Sequence, residues 1–517
     1  MPLALLLFLP LFGLVAPFLF AGGIGDNELV ATDTLTHLWN YVLKDYIAST
    51  LLLIVGVAAG VLVLGVGNAW IIASYHFPGK KIFEWALMLP LAIPTYVMAY
   101  LFVDLLQFSG PIQTGFREAF GLSTLPYFPD PRSLLGAIWT FSFCLFPYVY
   151  LISRTAFLER SRRLLEVSET LGYSPMQGFI KLVLPMARPA IFAGLALVLM
   201  EVLADFGAVS YFGVQTFATG IFKAWLSFGD RIAAIQLALG LLGFVLIIFS
   251  IEQYSRASIR YASSTNQKSI PIRLRGKAAF LAFSFSGLTL LLGFLLPAFA
   301  LVHLLIKEGF RLDGRYVSWL SNSLSVSLIT ALISVVLALF FAYSIRISPR
   351  LAWVNRLLGF GYALPGAVLA IGILALLETL GLAWWMSASV VVLVYAYIVR
   401  FLSSSLQSIE AGLLRITPSM DGSAELLGLT RFQMLRRVHV PLLKRSLLTA
   451  GLFVFVDVMK ELPATLLLRP FNFDTLAVAT YQLAADERLS ELGLPALTIV
   501  LTGLLPVLLL SRMISRE

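Results

Sequence analysis

A chain of 517 residues with 59% hydrophobic and 13% charged residues, and a mean hydropathy of +0.90, is too apolar for a soluble globular protein, whose charged share is about a quarter. The net charge of +9 would suit a polyanionic ligand, but in so apolar a chain the distribution of basic residues matters more than their sum. One cysteine, Cys144, and four histidines scattered at 37, 76, 303 and 439 exclude a disulfide framework, a thiolate cluster and a His-based metal motif.

Crossing roughly 30 Å of hydrocarbon takes about 20 mostly apolar residues. Twelve such runs are predicted in chain order: 3–20, 48–73, 82–106, 134–153, 189–212 and 232–253, then 278–305, 320–345, 354–379, 384–405, 446–468 and 492–511. The first run, followed by Ala21-Gly22-Gly23, also fits a cleaved signal peptide, although the first lysine is Lys44 and no basic region precedes it. With the N-terminus inside, 26 of the 37 Lys and Arg fall in cytoplasmic segments and 10 outside, with Lys460 inside a span. The positive-inside rule therefore predicts both termini in the cytoplasm and assigns the basic balance to topology, with no nucleic-acid partner.

The polar, basic stretch 254–277 reads as a cytoplasmic linker between residues 1–253 and 278–517. The expected fold class is an all-α polytopic membrane protein of about 12 transmembrane helices, arranged as two tandem six-helix halves in parallel repeat. The repeat shows best at Glu166-Val167-Ser168-Glu169-Thr170-Leu171-Gly172, running on to Leu184-Pro185, against Gly422-Ser423-Ala424-Glu425-Leu426-Leu427-Gly428, running on to Val440-Pro441. Gly172 to Gly428 and Pro185 to Pro441 are both 256 residues apart. The same offset places Glu201 on Asp457, Asp205 on Glu461, Phe217 on Phe473 and Thr219 on Thr475.

Each copy, at about 160–187 and 410–443, reads as a helix with acidic residues near its start, a glycine suited to a left-handed turn, a short second helix, and a proline opening the next span. Two short helices on a membrane surface make a rigid knob able to transmit force.

In these segments the chain resembles the bacterial ABC importer permeases, whose signature is Glu-Ala-Ala, three residues, Gly, nine residues, Ile, one residue, Leu-Pro. The first copy matches with Glu166, Ser168, Gly172, Leu182, Leu184 and Pro185, and Glu169 follows as a second acid. The second matches with Ser423, Ala424, Gly428, Val438 and Pro441, followed in the same way by Glu425, but has Gly422 for the acid and Val440 for the leucine. The resemblance implies that each loop seats on one cytoplasmic ATPase subunit, so one chain takes two copies. It also implies a periplasmic or lipid-anchored solute-binding protein and a bacterial inner-membrane location. No stretch fits G-x-x-x-x-G-K-[ST], so this chain is not expected to be an enzyme or to carry a cofactor; ATP and magnesium belong to the partner.

Two further segments, Ala204–Phe217 and Met459–Leu476, look like the fused ferric-iron permeases, although thiamine and phosphonate permeases are fused similarly. Charges inside a span cost about 2.5–3.5 kcal/mol each and usually face a bundle interior or a watery path. Glu201 and Asp205 lie four apart on one helix, as do Asp457 and Glu461, and four such carboxylates at a two-fold-like centre would suit a hard trivalent cation in transit. They equally suit structural pairing with Lys460 or Arg469, and no resident metal site is assigned. The polar outer connections 214–231 and 469–491 are candidates to receive the binding protein. The rival transport class is an ion-coupled secondary transporter, which would need no ATPase. An intramembrane enzyme would need a nucleophile–base pair or metal set that the scattered histidines and Cys144 do not supply.

Overall fold

The computed structural model describes residues 5–20, 34–124, 128–257, 272–308, 312–382 and 389–514. Most of the predicted linker (258–271), residues 21–23 and the start of the 384–405 run lie outside the described residues. The described residues are all-α apart from a two-residue parallel ladder pairing Tyr75–His76 with Ile272–Arg273, which ties the end of the linker to the connection after the second predicted run.

Among the described residues, eight helices are long and apolar enough to cross a membrane, or nine if Lys80–Ala92 and Thr95–Phe120, which meet at 95°, count as one broken span. The twelve predicted runs thus do not become twelve uninterrupted helices. The 82–106 run breaks at the 3-10 turn Leu89–Ala92 before Pro94, and the 354–379 run breaks at Phe360–Ala363 before Pro365. Proline disfavours helical geometry in the residue before it, so both runs stop and restart there. The 189–212 and 446–468 runs break after Ala204 and Met459. Hydropathy is blind to such breaks because the residues on either side are equally apolar.

Contacts divide the chain into two compact units. One comprises Met1–Thr36, Ile221–Leu242 and Arg311–Gln482. Within it the Leu9–Phe20 helix packs along Gly366–Thr379, and glycines permit the approach: a Cβ on Gly13 would strike the Gly372 carbonyl, and one on Gly372 the Pro10 carbonyl. Its core joins the helices Gly314–Ile347, Val390–Leu413 and Val440–Met459 through residues such as Val326, Leu393, Tyr397 and Val454.

The other unit comprises His37–Gly220, Gly243–Phe310 and Leu483–Glu517. Here Gly56, Gly60 and Gly65 let the Lys44–Val61 helix and the turn after it lie against Ile138, Ser142 and Val149 of Leu134–Thr170. Asn68, fully buried, donates to Thr289 Oγ1 at 3.2 Å, and Leu296–Glu308 packs on Leu489–Ile514. These are units of packing, whereas the 254–277 division is one of sequence repetition, and neither decides the other.

Candidate functional site

From their glycine turns onward the two repeated loops fold alike. Gly172 and Gly428 have φ of 75° and 76°, the left-handed conformation that glycine adopts without strain. Three residues before each second helix's first-turn glutamine sits a hydroxyl residue, and the two cap one another. Gln177 Oε1 accepts from Ser174 N at 3.1 Å, and Gln433 Oε1 accepts from Thr430 N at 3.0 Å; each hydroxyl in turn accepts its glutamine's amide at 3.4 Å. A π turn follows in each copy, at Phe179–Val183 and Leu435–His439, just before the helices that contain Pro185 and Pro441 near their starts. Proline cannot donate to the residue four back and its ring crowds that carbonyl, so widening the turn relieves both problems.

The first copy departs from the expected helix-turn-helix. The Leu134–Thr170 helix runs on for 37 residues, about 55 Å at 1.5 Å per residue, with no break before the acidic segment. Glu166, Ser168 and Glu169 therefore lie at the end of a long helix, not at the start of a short one; their side chains lie outside the described residues. The reason is local: nothing between Leu158 and Thr170 breaks a helix, whereas in the second copy Pro418 restarts the chain as a separate helix, Pro418–Leu426. On that helix Ser423 and Glu425 face solvent while Ala424 is buried. Leu426 and Leu427 are 91% and 81% exposed and Phe432 is 71% exposed, so this knob presents bare apolar side chains. Leu171 and Met176 are exposed on the first.

The second repeated feature is a broken helix. Leu184–Ala204 stops and a five-residue helix, Gly207–Tyr211, begins; 256 residues on, Val440–Met459 stops and Pro463–Leu468 begins. A break leaves amide groups with no intrahelical partner, costly inside a bilayer. The two carboxylates singled out in the sequence supply that need. Asp205 Oδ1 accepts from Ala208 N at 2.8 Å and Val209 N at 3.3 Å, and its Oδ2 accepts from Thr95 Oγ1 at 2.5 Å. Glu461 accepts from Ala464 N and Thr465 N, both at 3.0 Å, and from Thr465 Oγ1 at 2.7 Å.

Their remaining partners differ. Glu461 forms a buried ion pair with Arg400, whose Nη1 lies 2.7 Å from Oε1. Space for that guanidinium exists because residue 366 is glycine: a Cβ there would lie 2.6 Å from Arg400 Nη1 and 2.7 Å from Glu461 Oε1. Thr95 and Gly366 hold corresponding places, each the first residue of the helix after a 3-10 turn and a proline. In one copy a hydroxyl meets the carboxylate, and in the other an absent side chain admits an arginine. Lys460, adjacent to Glu461 in sequence, pairs with Asp457 at 3.0 Å, and Arg469 pairs with Asp474. Glu201 is half-buried one turn before Asp205. Arg400 escaped the sequence reading because it sits at the end of an apolar run, 61 residues from its partner. Its hint was the glycine at 366, legible only with the pairing known. Among the described residues, no group of three or more His, Cys, Asp or Glu could hold a metal ion.

A polytopic helical protein with two matching knobs, each continuing into a broken helix, has the construction of a transporter's membrane component. The chain belongs to the family described as binding-protein-dependent transport system inner membrane component, whose model matches residues 63–261. It is 29% identical over 99% of its length, and 98% of the relative's, to the Fe(3+)-transport system permease protein FbpB 2 of Haemophilus influenzae. A probable molybdenum ABC transporter permease protein of Haloferax volcanii is 30% identical over 39% of this chain and 70% of its own. The sulfate transport system permease protein CysT of Salmonella typhimurium is 31% identical over 29% of this chain and 51% of its own. The protein is thus a multi-pass membrane permease of the ABC type.

Proposed function

We propose that this chain is the complete transmembrane pathway of an ATP-driven importer for ferric iron, one polypeptide standing in for two permease subunits. The observation that carries it is the pair of knobs, alike in glycine turn, capping pair, π turn and proline at a constant 256-residue offset. In this reading each knob seats on one of two cytoplasmic ATPase subunits, which bring ATP and magnesium. Glu166, Ser168, Glu169, Gly172, Leu184 and Pro185 form the first coupling element, and Ser423, Ala424, Glu425, Gly428 and Pro441 the second. Both termini lie in the cytoplasm of a bacterial inner membrane, and a solute-binding protein docks on the outer face.

Iron is favoured over other solutes because the likeness to the Fe(3+) permease runs the length of both chains, whereas the likeness to sulfate and molybdenum permeases is partial. Asp205 and Glu461 then shape the pathway and do not ligate the ion. Their oxygens already hold the amides of the broken helices, and conduction is served by weak sites. ATP closure of the motor would draw the knobs together and rock the pathway open outward; hydrolysis would reset it.

The test is to reconstitute the permease with its ATPase and binding protein and measure hydrolysis with the binding protein loaded with ferric iron, sulfate, molybdate or thiamine. Ferric iron should give the strongest stimulation. Stimulation by another solute alone would overturn the iron assignment, and uptake driven by a proton gradient without ATP would overturn the class of mechanism.

A further inference from the structure

The two knobs, so alike in backbone, are fastened to their units by unlike chemistry. In the second, Asp421 lies one residue before Gly422, where the family signature's acid is missing, and it points inward. Its Oδ1 lies 2.8 Å from His439 Nε2, and its Oδ2 accepts from Arg346 Nε at 2.8 Å. Arg346 also donates to the carbonyls of Leu413 at 2.9 Å and Ile416 at 2.8 Å, the first the last residue of the Val390–Leu413 helix and the second just beyond it. One turn earlier on the Gly314–Ile347 helix, Tyr343 Oη donates to the Arg431 carbonyl at 2.7 Å, and its ring lies edge-on to His439 at 5.4 Å. His439 is fully buried, and among the described residues its Nδ1 has no hydrogen-bond partner. Four residues, Arg346, Asp421, His439 and Tyr343, thus bind the end of one membrane helix to both short helices of the knob and to the start of the helix that follows.

The first knob carries none of these residue types at the corresponding positions. The 256 offset places Leu165 and Val183 at the positions of Asp421 and His439. Pro78 and Pro349 end corresponding segments, which places Tyr75 at the position of Arg346. There, the fastening is aromatic. Phe179, in the knob's π turn, lies 4.3 Å from Trp70, and Phe157 meets both at 5.7 and 6.0 Å.

We infer that Arg346, Asp421 and His439 form a positioning latch that makes the second coupling loop move as one body with the Gly314–Ile347 helix, a role the Trp70–Phe157–Phe179 cluster fills for the first. The inference rests on the proposed coupling role of the loops. A knob that only docks would turn on its Gly428 hinge when the motor pulls; a knob bolted at three points carries the pull into the membrane helix. Arg346 suits this work because its planar fork reaches a carboxylate and two carbonyls at once, which lysine cannot do.

The test makes the latch reversible within one sample. In a Cys144→Ala background, Arg346→Cys with Asp421→Cys removes the ionic contact, and a bis-methanethiosulfonate crosslinker bridges the two thiols until reductant releases it. In the reconstituted complex, stimulation of ATP hydrolysis by the loaded binding protein should fall at least about fivefold without the crosslink, an equilibrium shift of about 1 kcal/mol, and return with it. His439→Gln, which keeps a donor toward Asp421, should couple better than His439→Leu. Wild-type coupling in the reduced sample, or none in either, overturns the latch. The underlying reading is checked separately by Leu426→Ser with Leu427→Ser: if ATPase association survives that change, the loop is not the docking element, whatever the latch does.

Discussion

Removing the charge of Glu461 should cost far more than removing that of its repeat partner Asp205. Glu461→Gln keeps the side chain's size and one acceptor oxygen, but strands the buried Arg400 guanidinium, which loses its carboxylate partner. Breaking a buried ion pair from one side costs about 3–5 kcal/mol, because the partner is left charged and desolvated. Asp205→Asn strands no cation, since Asp205 is bonded to Thr95 and two backbone amides. Asparagine keeps an acceptor for those amides, so the loss should be smaller than that of deleting a helix cap outright, about 0.5–2 kcal/mol. Arg400→Met added to Glu461→Gln should recover most of the larger loss, because an apolar replacement of both partners is often near neutral. Equilibrium unfolding in mixed micelles, with membrane abundance as a second readout, ranks the variants. If Glu461→Gln is no less stable than Asp205→Asn, or Arg400→Met rescues nothing, the assignment of the buried pair is wrong. Iron uptake adds a separate reading: wild-type rates in Asp205→Asn at normal abundance would confine that carboxylate to capping.

Gly172→Val and Gly428→Val should leave insertion intact but impair ATP-driven uptake, since a non-glycine residue at positive φ costs about 1–2 kcal/mol and open space at both sites leaves strain as the sole penalty; wild-type uptake in both would refute the turn's role in coupling. Glu166→Gly should reduce uptake more than any replacement of Gly422, because only the first loop has an acid at that position; the reverse order in a transport assay would show that the second loop's inward Asp421 compensates. Desolvation would raise the Asp421 carboxyl, but hydrogen bonds from His439 and Arg346 outweigh it and hold the group below its ordinary 3.8. Its folded value being depressed, its stabilisation is complete above 3.8 and lost only as pH falls through the lower folded value. Protease protection of residues 418–434 should therefore hold between about pH 7 and pH 5, and an Asp421-dependent loss in that window would contradict the geometry.

What the sequence made legible was local or periodic. Gly172, Gly428, Pro185 and Pro441 announce their turns because each residue type restricts its own backbone, and a constant offset turns two weak signals into one strong one. Apolar runs showed where membrane helices lie, but not that Pro94 and Pro365 break two of them, since the flanks of a break are as apolar as its interior. Asp205 and Glu461 stood out, whereas their partners did not: Thr95 reaches Asp205 across 110 residues, and Arg400 reaches Glu461 across 61. Nothing in Leu9–Phe20 hints that it packs on Gly366–Thr379, because glycines that admit a helix look the same as glycines that loosen one.

The differences between the copies come in compensated sets, and that yields a demanding test. Thr95 with Asp205 in one copy answers to Gly366 with Glu461 in the other, and the position of Arg400, three residues after Tyr397, is held by Ser153, three residues after Tyr150. Gly366→Thr alone should be severe, because even its Cβ would meet Arg400 Nη1 at 2.6 Å and Glu461 Oε1 at 2.7 Å, separations an unshifted structure cannot hold. Gly366→Thr combined with Arg400→Ser and Glu461→Asp rebuilds the first copy's arrangement: the guanidinium is gone, the carboxylate is one carbon shorter, and a hydroxyl takes the arginine's place. The triple variant should unfold at higher denaturant than the single one, despite carrying two more changes. If damage instead grows with each replacement, the copies are held by surroundings that differ beyond these residues, and the correspondence of Thr95 with Gly366 is one of backbone alone.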